Sequence, residues 1–390
     1  MNHETSTGDT TAGRGPLSGV RIVELGGIGP GPFAGMLLGD LGADVIRIDR
    51  AEDAGLANPH PILHRNRRSL TIDLKHPDSA EVVLALVADA DAVIEGFRPG
   101  AAERLGLGPE TLLARNPRLV YGRMTGWGQS GPLADEPGHD INFIALTGAL
   151  HAIGPADEPA VPLNLIGDMG GGGLLLAFGL LGAVISARSS GRGQVVDAAM
   201  TDGSATMLAM VHGFLNQGRW SDERGQNSID GGRPWYGVYR CADDGHLALG
   251  IGDRRSYAAL LEVLALVDDP DFAVQQDRDA WPAMRKTLSD VFATRSRSDW
   301  ERTFEGRGAC VSPVLSLTEA PRHPHNIARG TFRTGADGGI EPAPAPRFSG
   351  TPAAEPAPAP VVGADTDEIL TQAGYDSDAI AALRGAGVVR

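Results

Sequence analysis

The chain has 390 residues, more than one ordinary hydrophobic core needs, so we expect two domains. A hydrophobic fraction of 42% is typical of a globular protein, and a net charge of −15 argues against nucleic acid as a partner. The two cysteines, Cys241 and Cys310, are too few for a disulfide framework or a cysteine metal site, and they favour a reducing, cytoplasmic compartment.

Two segments bear on export and membrane insertion. The first 15 residues are polar and lack an apolar stretch, so they are predicted to form a disordered tail rather than a signal peptide. The uncharged run from Gly170 to Ala187 is barely long enough to cross a bilayer, and it opens with four consecutive glycines. We therefore predict a buried helix after a glycine turn, and no membrane span.

The first folded stretch has the pattern of a βαβ unit. Residues 20–25 form a predicted strand, 26–31 a glycine-rich turn, 32–41 a helix with apolar residues at helical spacing, and 44–49 the next strand. Two strands joined in this way are parallel, with a right-handed crossover.

The alternation continues with predicted strands at 69–74, 92–95 and 119–124 and a helix at 80–88. It predicts an α/β fold with an open, parallel, Rossmann-like sheet that binds ligands at the carboxyl ends of its strands.

The pattern changes after about residue 217. Residues 236–240 and 246–250 predict a β-hairpin, and helices follow from Tyr257 to about Glu305. Residues 341–360 are rich in proline and alanine and predict a semi-extended strap. The expected domains are a large α/β domain at 16–200 plus 345–390, a helical linker at 201–228, and a small α+β domain at 229–344.

The glycine turn matches the loose dinucleotide fingerprint G-x-G-x-x-A at Gly29–Ala34, and Asp49 ends the next strand. However, Pro30 and Pro32 lack the N–H groups that bind a pyrophosphate, whereas proline suits the first turn of a helix. We therefore favour a structural turn over NAD binding.

Positive charge concentrates at residues 64–68, with Arg50, Arg98 and Arg104 at or after other strand ends. At the carboxyl edge of a parallel sheet, such arginines can bind several phosphates by bidentate hydrogen bonds. A solvated surface turn is the alternative, and the sequence pattern by itself leaves both open.

Two segments have residues suited to proton transfer. In Gly138–Phe143, His139 precedes a predicted helix, where free backbone N–H groups can stabilise an oxyanion. Asp168 heads the glycine-rich apolar helix, where glycines permit close approach of a ligand. The alternative is a plain helix cap, formed by Asp140 beside His139 in the first segment and by Asp168 in the second.

The sequence resembles the α-methylacyl-CoA racemases of the type III CoA-transferase family over residues 16–348. Its motifs occur together and in order: GIGPGPFAGMLLGDLGADVIRIDR, RNRRSLTIDLK, EGFRPGAAERLGLGPE, MTGWGQSGP, GHDINF, LNLIGDMGGG and SGRGQVVDAAM.

This resemblance implies racemisation by two bases, His139 and Asp168, on opposite faces of the α-carbon of an acyl-CoA, through an enolate held by backbone donors near Asp140. No cofactor or metal is implied, because CoA is part of the substrate. The family fold implies an interlocked homodimer whose active sites are completed by the partner's small domain. The implied CoA and substrate contacts are Arg50, Ile72, Asp73, Leu74, Lys75, Arg98, Arg104, Gly138, Asp140, Ile141, Asn142 and Phe143.

The sequence departs from the family pattern at several positions. Where the racemases have a glutamate that pairs with the catalytic histidine, this chain has Asp253, which either still reaches His139 or points away. Phe143 replaces the usual tyrosine, and Arg233 and Trp235 replace smaller or less polar residues, which bears on the choice of acyl chain.

Three alternatives to a racemase differ in what they predict. In a type III CoA-transferase, Asp168 would attack the thioester and carry the acyl group. A CoA-thioester binding homologue that has lost catalysis would bind without proton exchange. A dehydrogenase, the last of the alternatives, would bind NAD.

Overall fold

The computed structural model describes residues 15–390, so the predicted tail at 1–15 lies outside the described residues except for Gly15. The strands are β1 Arg21–Leu25, β2 Asp44–Arg50, β3 Arg67–Ile72, β4 Ala92–Glu95, β5 Val120–Thr125, β6 Gln194–Ala199, β7 Tyr236–Arg240, β8 His246–Gly250, β9 Val311–Val314, β10 Phe332–Thr334 and β11 Ile340–Pro342.

The helices follow the same chain order, with a π-helix at Leu165–Leu174 and short 3₁₀ turns at Ala51–Asp53, Arg278–Ala280 and Ala320–Arg322. The α-helices are α1 Pro30–Asp40, α2 Ser79–Val87, α3 Ala101–Arg104, α4 Pro109–Arg115, α5 Asp140–Leu146, α6 Ala149–Ala152, α7 Leu175–Ser190, α8 Met200–Met207, α9 Ala209–Asn216, α10 Arg254–Leu264, α11 Pro270–Ala273, α12 Trp281–Phe292, α13 Arg297–Phe304, α14 Pro324–Arg329, α15 Thr366–Gln372 and α16 Ser377–Ala386.

The described chain divides into two compact units. One comprises 15–147, 163–207 and 333–390, and the other comprises 148–162 and 208–332. The first holds a six-stranded sheet in the order β3-β2-β1-β4-β5-β6, and its strands pair in parallel. The predicted open parallel α/β sheet is therefore confirmed.

Helices cover both faces of this sheet. Since successive strand residues point to opposite sides, residues of both orientations are buried. Val23 and Leu25 pack with α2, α4 and the C-terminal helices, whereas Ile22 packs with α1 and α7. Near-continuous runs of valine, isoleucine and leucine are what such doubly covered strands require.

A buried ion-pair network joins the three neighbouring strands β1, β2 and β3. Glu24 of β1 is fully buried, and its carboxylate contacts Arg47 of β2 and Arg67 of β3. Burial alone would raise the pKa of Glu24, but Arg67 and Arg47 hold it below its usual range. The carboxylate therefore stays ionised inside the sheet.

The apolar stretch predicted as a buried helix is helical throughout Leu165–Ser190. Among the described residues it is the one stretch long and apolar enough to span a bilayer by length and composition. Leu176, Leu180 and Val184 pack against the sheet, whereas Phe178 and Ile185 are exposed. Burial is thus confirmed for one face of this helix, but the glycine turn predicted before it is wrong, because Gly170 to Gly173 are themselves helical.

The second unit contains the three-stranded antiparallel sheet β7-β8-β9. The predicted hairpin is confirmed, with Tyr236 paired to Gly250 and Arg240 to His246. Its own core consists of aromatic and aliphatic residues of this sheet and of α10, α12 and α13, among them Trp235, Tyr239, Leu247, Phe292 and Trp300.

The strap predicted at 341–360 has no helix or strand after β11, as its composition indicated. It is held to the first unit by paired hydrogen bonds: the Asn66 N–H donates to the Ala357 carbonyl at 3.0 Å, and the Ala357 N–H donates to Asn66 Oδ1 at 2.7 Å.

We predict that Glu24→Gln lowers the free energy of unfolding by about 3 to 5 kcal/mol, because it leaves Arg67 buried without an ion-pair partner and Arg47 with Asp49 alone. Urea denaturation followed by circular dichroism measures this loss. The matched control is Glu52→Gln, whose partner Arg50 is exposed; it should change stability by about 1 kcal/mol or less. Equal, small effects of both substitutions would contradict the role given to the network.

Candidate active site

A cavity of about 690 Å³ opens in the first unit, at the carboxyl edge of the parallel sheet. His139 and Asp168 both line it. The two side chains predicted as bases therefore share one cavity. Its other walls come from the glycine loop after β1, from the loop after β4, from the end of β5 and from the segment before α5: residues 26–32, 96–99, 124–127 and 136–138.

His139 is the N-cap residue of α5, and its side chain is exposed at the cavity. Its backbone is extended, and its N–H donates to Asn142 Oδ1 at 3.1 Å, so Asn142 closes the helix end. The first N–H groups of α5 have no carbonyl in the preceding turn to bind, so they supply donors beside the imidazole.

Asp168 lies four residues into the π-helix Leu165–Leu174, so the prediction that it heads the helix is wrong. Close packing explains why this helix contains a run of glycines. A Cβ on Gly171 would lie 2.7 Å from the backbone of Ser204, and one on Gly173 would lie 2.5 Å from the Pro30 carbonyl oxygen. Glycine thus lets this segment pack directly against α8 and the start of α1.

Two neighbours of the Asp168 carboxylate were not predicted as site residues. Asn164 Nδ2 donates to Asp168 Oδ2 at 3.1 Å, and a Cβ on Gly29 would lie 3.3 Å from the same oxygen. Asn164 precedes Asp168 by four residues, a helical spacing that the sequence offered as a signal. The glycine loop instead forms a wall against a carboxylate. The predicted placement of Pro32 in the first turn of α1 is confirmed, whereas Pro30 begins that helix and does not lie in the turn predicted at 26–31.

A carboxylate joins the two segments that bear His139 and Asp168. Asp140 is buried, and its Oδ1 accepts a hydrogen bond of 2.6 Å from the Asp168 backbone N–H. Gly167 permits this contact, since a Cβ there would lie 2.5 Å from Asp140 Oδ1. The other carboxylate oxygen of Asp140, Oδ2, is buried without a hydrogen-bond partner among residues 15–390.

Several nearby groups shift the pKa of Asp168. Burial raises it, and the negative charge of Asp140 adds to the rise, while the hydrogen bond from Asn164 and the proximity of His139 lower it. The net shift is upward. A carboxylate with a raised pKa is a stronger base than a free aspartate.

Phe143 and Gly138, two of the implied substrate contacts, line the cavity together. Phe143 is buried and packs edge-on against Trp127, with ring centroids 4.7 Å apart. A Cβ on Gly138 would lie 2.6 Å from the Phe143 ring, so glycine is needed at that position. Ile141 and Asn142 are not among the cavity's lining residues.

The implied CoA contacts lie at or after strand ends. Arg98 reaches the cavity, and neither Arg98 nor Arg104 forms an ion pair with a carboxylate in the described chain. Arg50 is exposed, 3.5 Å from Glu52. After β3, Asp73 and Lys75 are exposed and Leu74 is partly buried, whereas the side chain of Ile72 belongs to the core.

Of the two alternatives left open for residues 64–68, neither phosphate binding nor a solvated surface turn holds for Arg65 and Arg67. Both are buried, the first against Asp40 and the second against Glu24. Arg68 pairs with Asp44 at 2.7 Å. Carboxylates of neighbouring strands and of α1 form ion pairs with these guanidinium groups. The linear sequence does not show this pairing.

Asp253 belongs to the second unit and caps α10. Its Oδ1 accepts hydrogen bonds from the backbone of Arg255 and Ser256, and its Oδ2 accepts one from the Ser256 hydroxyl. These bonds, led by that from the Ser256 N–H, hold the pKa of Asp253 below its usual range. Its partnership with His139 stays a prediction.

We predict opposite shifts in the pKa of Asp168 from two substitutions. Asp140→Asn removes a negative charge while keeping an oxygen for the Asp168 N–H, so the pKa falls; Asn164→Ala removes a donor to the ionised carboxylate, so the pKa rises. Carboxyl ¹³C NMR titration measures both. The exposed Asp202→Asn serves as control and should leave the pKa unchanged; shifts of the same sign in the first two variants would refute this account.

The sequence profile of CoA-transferase family III matches residues 17–366. Over 375 residues, the chain is 42% identical to alpha-methylacyl-CoA racemase of Mus musculus and 41% identical to that of Homo sapiens, with 96% of this chain and 97% of each relative covered.

A solved structure has the same fold. The crystal structure of a CAIB/BAIF family protein from Brucella suis matches with a TM-score of 0.80 at 26% identity, covering 92% of this chain and 100% of that one. The family that the sequence motifs indicated is confirmed by these matches. The chain belongs to CoA-transferase family III.

Proposed function

We propose that this protein is an isomerase that interconverts the (R)- and (S)-forms of 2-methylacyl-CoA thioesters. The observation that carries the proposal is that His139 and Asp168 line a single cavity. Relatives that match nearly the whole chain at 41 and 42% identity are named alpha-methylacyl-CoA racemases. Both observations favour proton transfer at the carbon beside the thioester.

The chemistry needs two bases and no net change in atoms. One base takes the proton from C2, the C–H electron pair moves into the thioester to give an enolate, and the other base returns a proton to the opposite face. His139 and Asp168 fill these roles, each as an acid in one direction and a base in the other. The backbone N–H of Asp140, at the start of α5, is the proposed donor to the enolate oxygen.

The raised pKa of Asp168 suits this work. A base accepts a proton more readily as its pKa approaches the working pH, and burial beside the charge of Asp140 moves Asp168 in that direction. Because only the ionised form removes a proton, turnover in that direction should be lost as the pH falls through the pKa of Asp168. That loss should begin at a higher pH than for a free aspartate.

The CoA moiety needs local cations in a chain whose net charge is −15. Arg98 and Arg104 supply guanidinium groups that pair with no carboxylate of residues 15–390, and Arg50 and Lys75 are exposed. We propose that these residues hold the phosphates and that the backbone of residues 72–75 contacts the adenine. CoA enters as part of the substrate, and the proposed chemistry needs no further cofactor.

We also propose a homodimer, as the family resemblance implies, in the cytoplasm. Exposed apolar side chains on the π-helix, α7 and α8 support a covered surface: Leu174, Phe178, Ile185 and Met207 are more than half exposed. The cysteines Cys241 and Cys310 are both free, which suits a reducing compartment.

A CoA-transferase is the second candidate, favoured by the name of the family that the chain matches. In that reaction the Asp168 carboxylate attacks the thioester and gives a mixed acyl anhydride and the CoA thiolate; the thiolate then attacks the aspartyl carbonyl, which releases the donor carboxylate and leaves CoA as an aspartyl thioester. The acceptor carboxylate attacks that thioester in turn, and the CoA thiolate takes the acceptor acyl group from the second anhydride, which frees Asp168. His139 would have no base role in such a step. Its exposed ring in the same cavity therefore favours the racemase.

We predict that a single-enantiomer 2-methylacyl-CoA incubated with the protein in D₂O gains deuterium at C2 and loses optical purity. His139→Gln and Asp168→Asn should each slow this exchange by about a hundredfold or more, since each removes a general base. Mass spectrometry and chiral chromatography measure the two changes. His151→Gln, at an exposed histidine of the second unit, is the matched control and should leave the rate unchanged.

Other outcomes of this incubation would identify the alternatives. Retained configuration, with CoA passing to an added carboxylate, would identify a transferase. Tight CoA binding with neither reaction would identify a homologue that has lost catalysis.

A second prediction separates the two roles of Asp253. As a helix cap alone, Asp253→Asn should preserve both stability and exchange rate, while Asp253→Ala costs about 1 kcal/mol of stability. As the partner of His139, both variants should slow exchange sharply, because both lose the negative charge. Exchange rates and urea denaturation together decide, with Arg254→Ala as the control that should alter neither.

A further inference from the structure

The phosphate segment, residues 96–104, follows β4 and carries Arg98 and Arg104, the two arginines proposed to bind the phosphates of CoA. Gly96 and Arg98 line the cavity, and neither arginine forms an ion pair with a carboxylate of residues 15–390. A functional side chain acts reliably only where neighbouring residues hold its backbone in place. The contacts that hold this segment therefore bear on how CoA is bound.

Glu95, the last residue of β4, holds the start of the phosphate segment. Glu95 is 2% exposed, and its Oε2 accepts a hydrogen bond of 2.7 Å from the backbone N–H of Phe97. This bond reaches from the end of the strand to the residue immediately before Arg98. It satisfies a backbone donor of the loop and so fixes the direction in which the chain leaves the sheet.

Arg123 of β5 contacts both ends of this part of the chain. It lies opposite Glu95 in the pairing of β4 with β5, and its Nε is 3.2 Å from Glu95 Oε1. A terminal nitrogen of the same guanidinium contacts Glu103, which immediately precedes Arg104 in α3. The other terminal nitrogen donates to Gln129 Oε1 at 2.7 Å. One arginine of the sheet thus links the residue before the segment to the segment's far end.

The charge of Glu95 depends on its surroundings. Burial raises the pKa of Glu95 to about 7, although the Phe97 N–H and Arg123 oppose the rise; the negative charges of Glu103 and Asp197 add to it. The Phe97 N–H and Arg123 thus favour the ionised carboxylate, which accepts hydrogen bonds more strongly than a neutral carboxyl group. Glutamine is nevertheless a mild replacement, since a group with this pKa is itself partly neutral near pH 7.

The other glutamate of the six-stranded sheet, among the described residues, has different partners. Glu24 contacts Arg47 and Arg67, both within strands, so it joins strand to strand. Glu95 has one partner within a strand and one, the Phe97 N–H, in the wall of the cavity. This second contact points to a role in the site as well as in the sheet.

We propose that Glu95 is a positioning residue for CoA binding. Together with Arg123 and Glu103, it holds the phosphate segment so that Arg98 and Arg104 meet the phosphates of CoA at the same time. The inference rests on the proposed function for the identity of the ligand. It adds to that function, because the contacts implied by the family resemblance include none of the three residues that hold the segment.

Calorimetric titration of the full chain with CoA tests the proposal. Glu95→Leu should weaken CoA binding by about tenfold, because the Phe97 N–H loses a charged acceptor. Glu95→Gln keeps an oxygen for that N–H and should stay within about twofold of the wild type. Glu103→Ala releases the far end of the segment and should weaken binding by about threefold or more, since Arg104 must then be ordered on binding. Glu110→Ala, at another exposed glutamate of the same unit, is the matched control and should bind CoA like the wild type.

Turnover separates positioning from a loss of stability. In the deuterium-exchange assay, Glu95→Leu should raise KM for the 2-methylacyl-CoA by the same factor as the CoA dissociation constant and leave kcat unchanged, because His139 and Asp168 are untouched. A variant that is merely less stable would show the opposite: a smaller active fraction, and so a lower apparent kcat, at an unchanged KM.

Wild-type CoA affinity in either Glu95→Leu or Glu103→Ala would overturn the proposal, as would a loss in Glu95→Gln as large as that in Glu95→Leu. Circular dichroism checks that each variant is folded. If Glu95→Leu is not, Glu103→Ala, whose side chain is 46% exposed, still decides. Absence of CoA binding by the wild type would overturn the proposed function as well, so the two failures are distinguishable.

Discussion

The candidate active site depends on how closely the π-helix Leu165–Leu174 can approach its neighbours. The Asp168 N–H reaches Asp140 at 2.6 Å only because Gly167 presents no Cβ, and the segment rests on Pro30 and Ser204 only because Gly171 and Gly173 have none. The five glycines of this helix lose more conformational freedom on folding than other residues would, and packing on α1, α5 and α8 must offset that entropy cost. The benefit is a carboxylate held at a defined place in the cavity wall.

Electrostatics divides the arginines of this acidic chain into two classes. Arg47, Arg65 and Arg67 are buried with carboxylates and stabilise the sheet, because an unpaired charge there would be prohibitive. Arg98 lines the cavity and forms no ion pair with a carboxylate among residues 15–390. Its guanidinium is therefore available to an anionic ligand in the cavity, whereas those of the buried sheet arginines are not.

The same aspartate suits both reactions considered for this family. A carboxylate beside a thioester can remove a proton from C2 or attack the carbonyl carbon. What separates the two outcomes is the second group in the cavity and the position of the thioester relative to both. His139 at the start of α5, next to free backbone N–H groups, favours enolate chemistry.

Much of the fold followed from local pattern. The parallel α/β sheet, the hairpin Tyr236–Gly250, the proline-rich strap and the segments bearing His139 and Asp168 were all predicted, because hydrophobic period and turn residues act over short distances. The motifs, taken together, also indicated the family.

Tertiary structure decided what depends on residues far apart in the chain. It paired Arg65 with Asp40 and Arg67 with Glu24, it placed Asp168 inside a π-helix rather than at its head, and it brought Gly29 against that carboxylate. The sequence by itself determined which elements form and which residue types carry the chemistry. Which charges are neutralised and which stay available was decided by packing, since a counter-charge comes from whichever strand or helix happens to lie alongside.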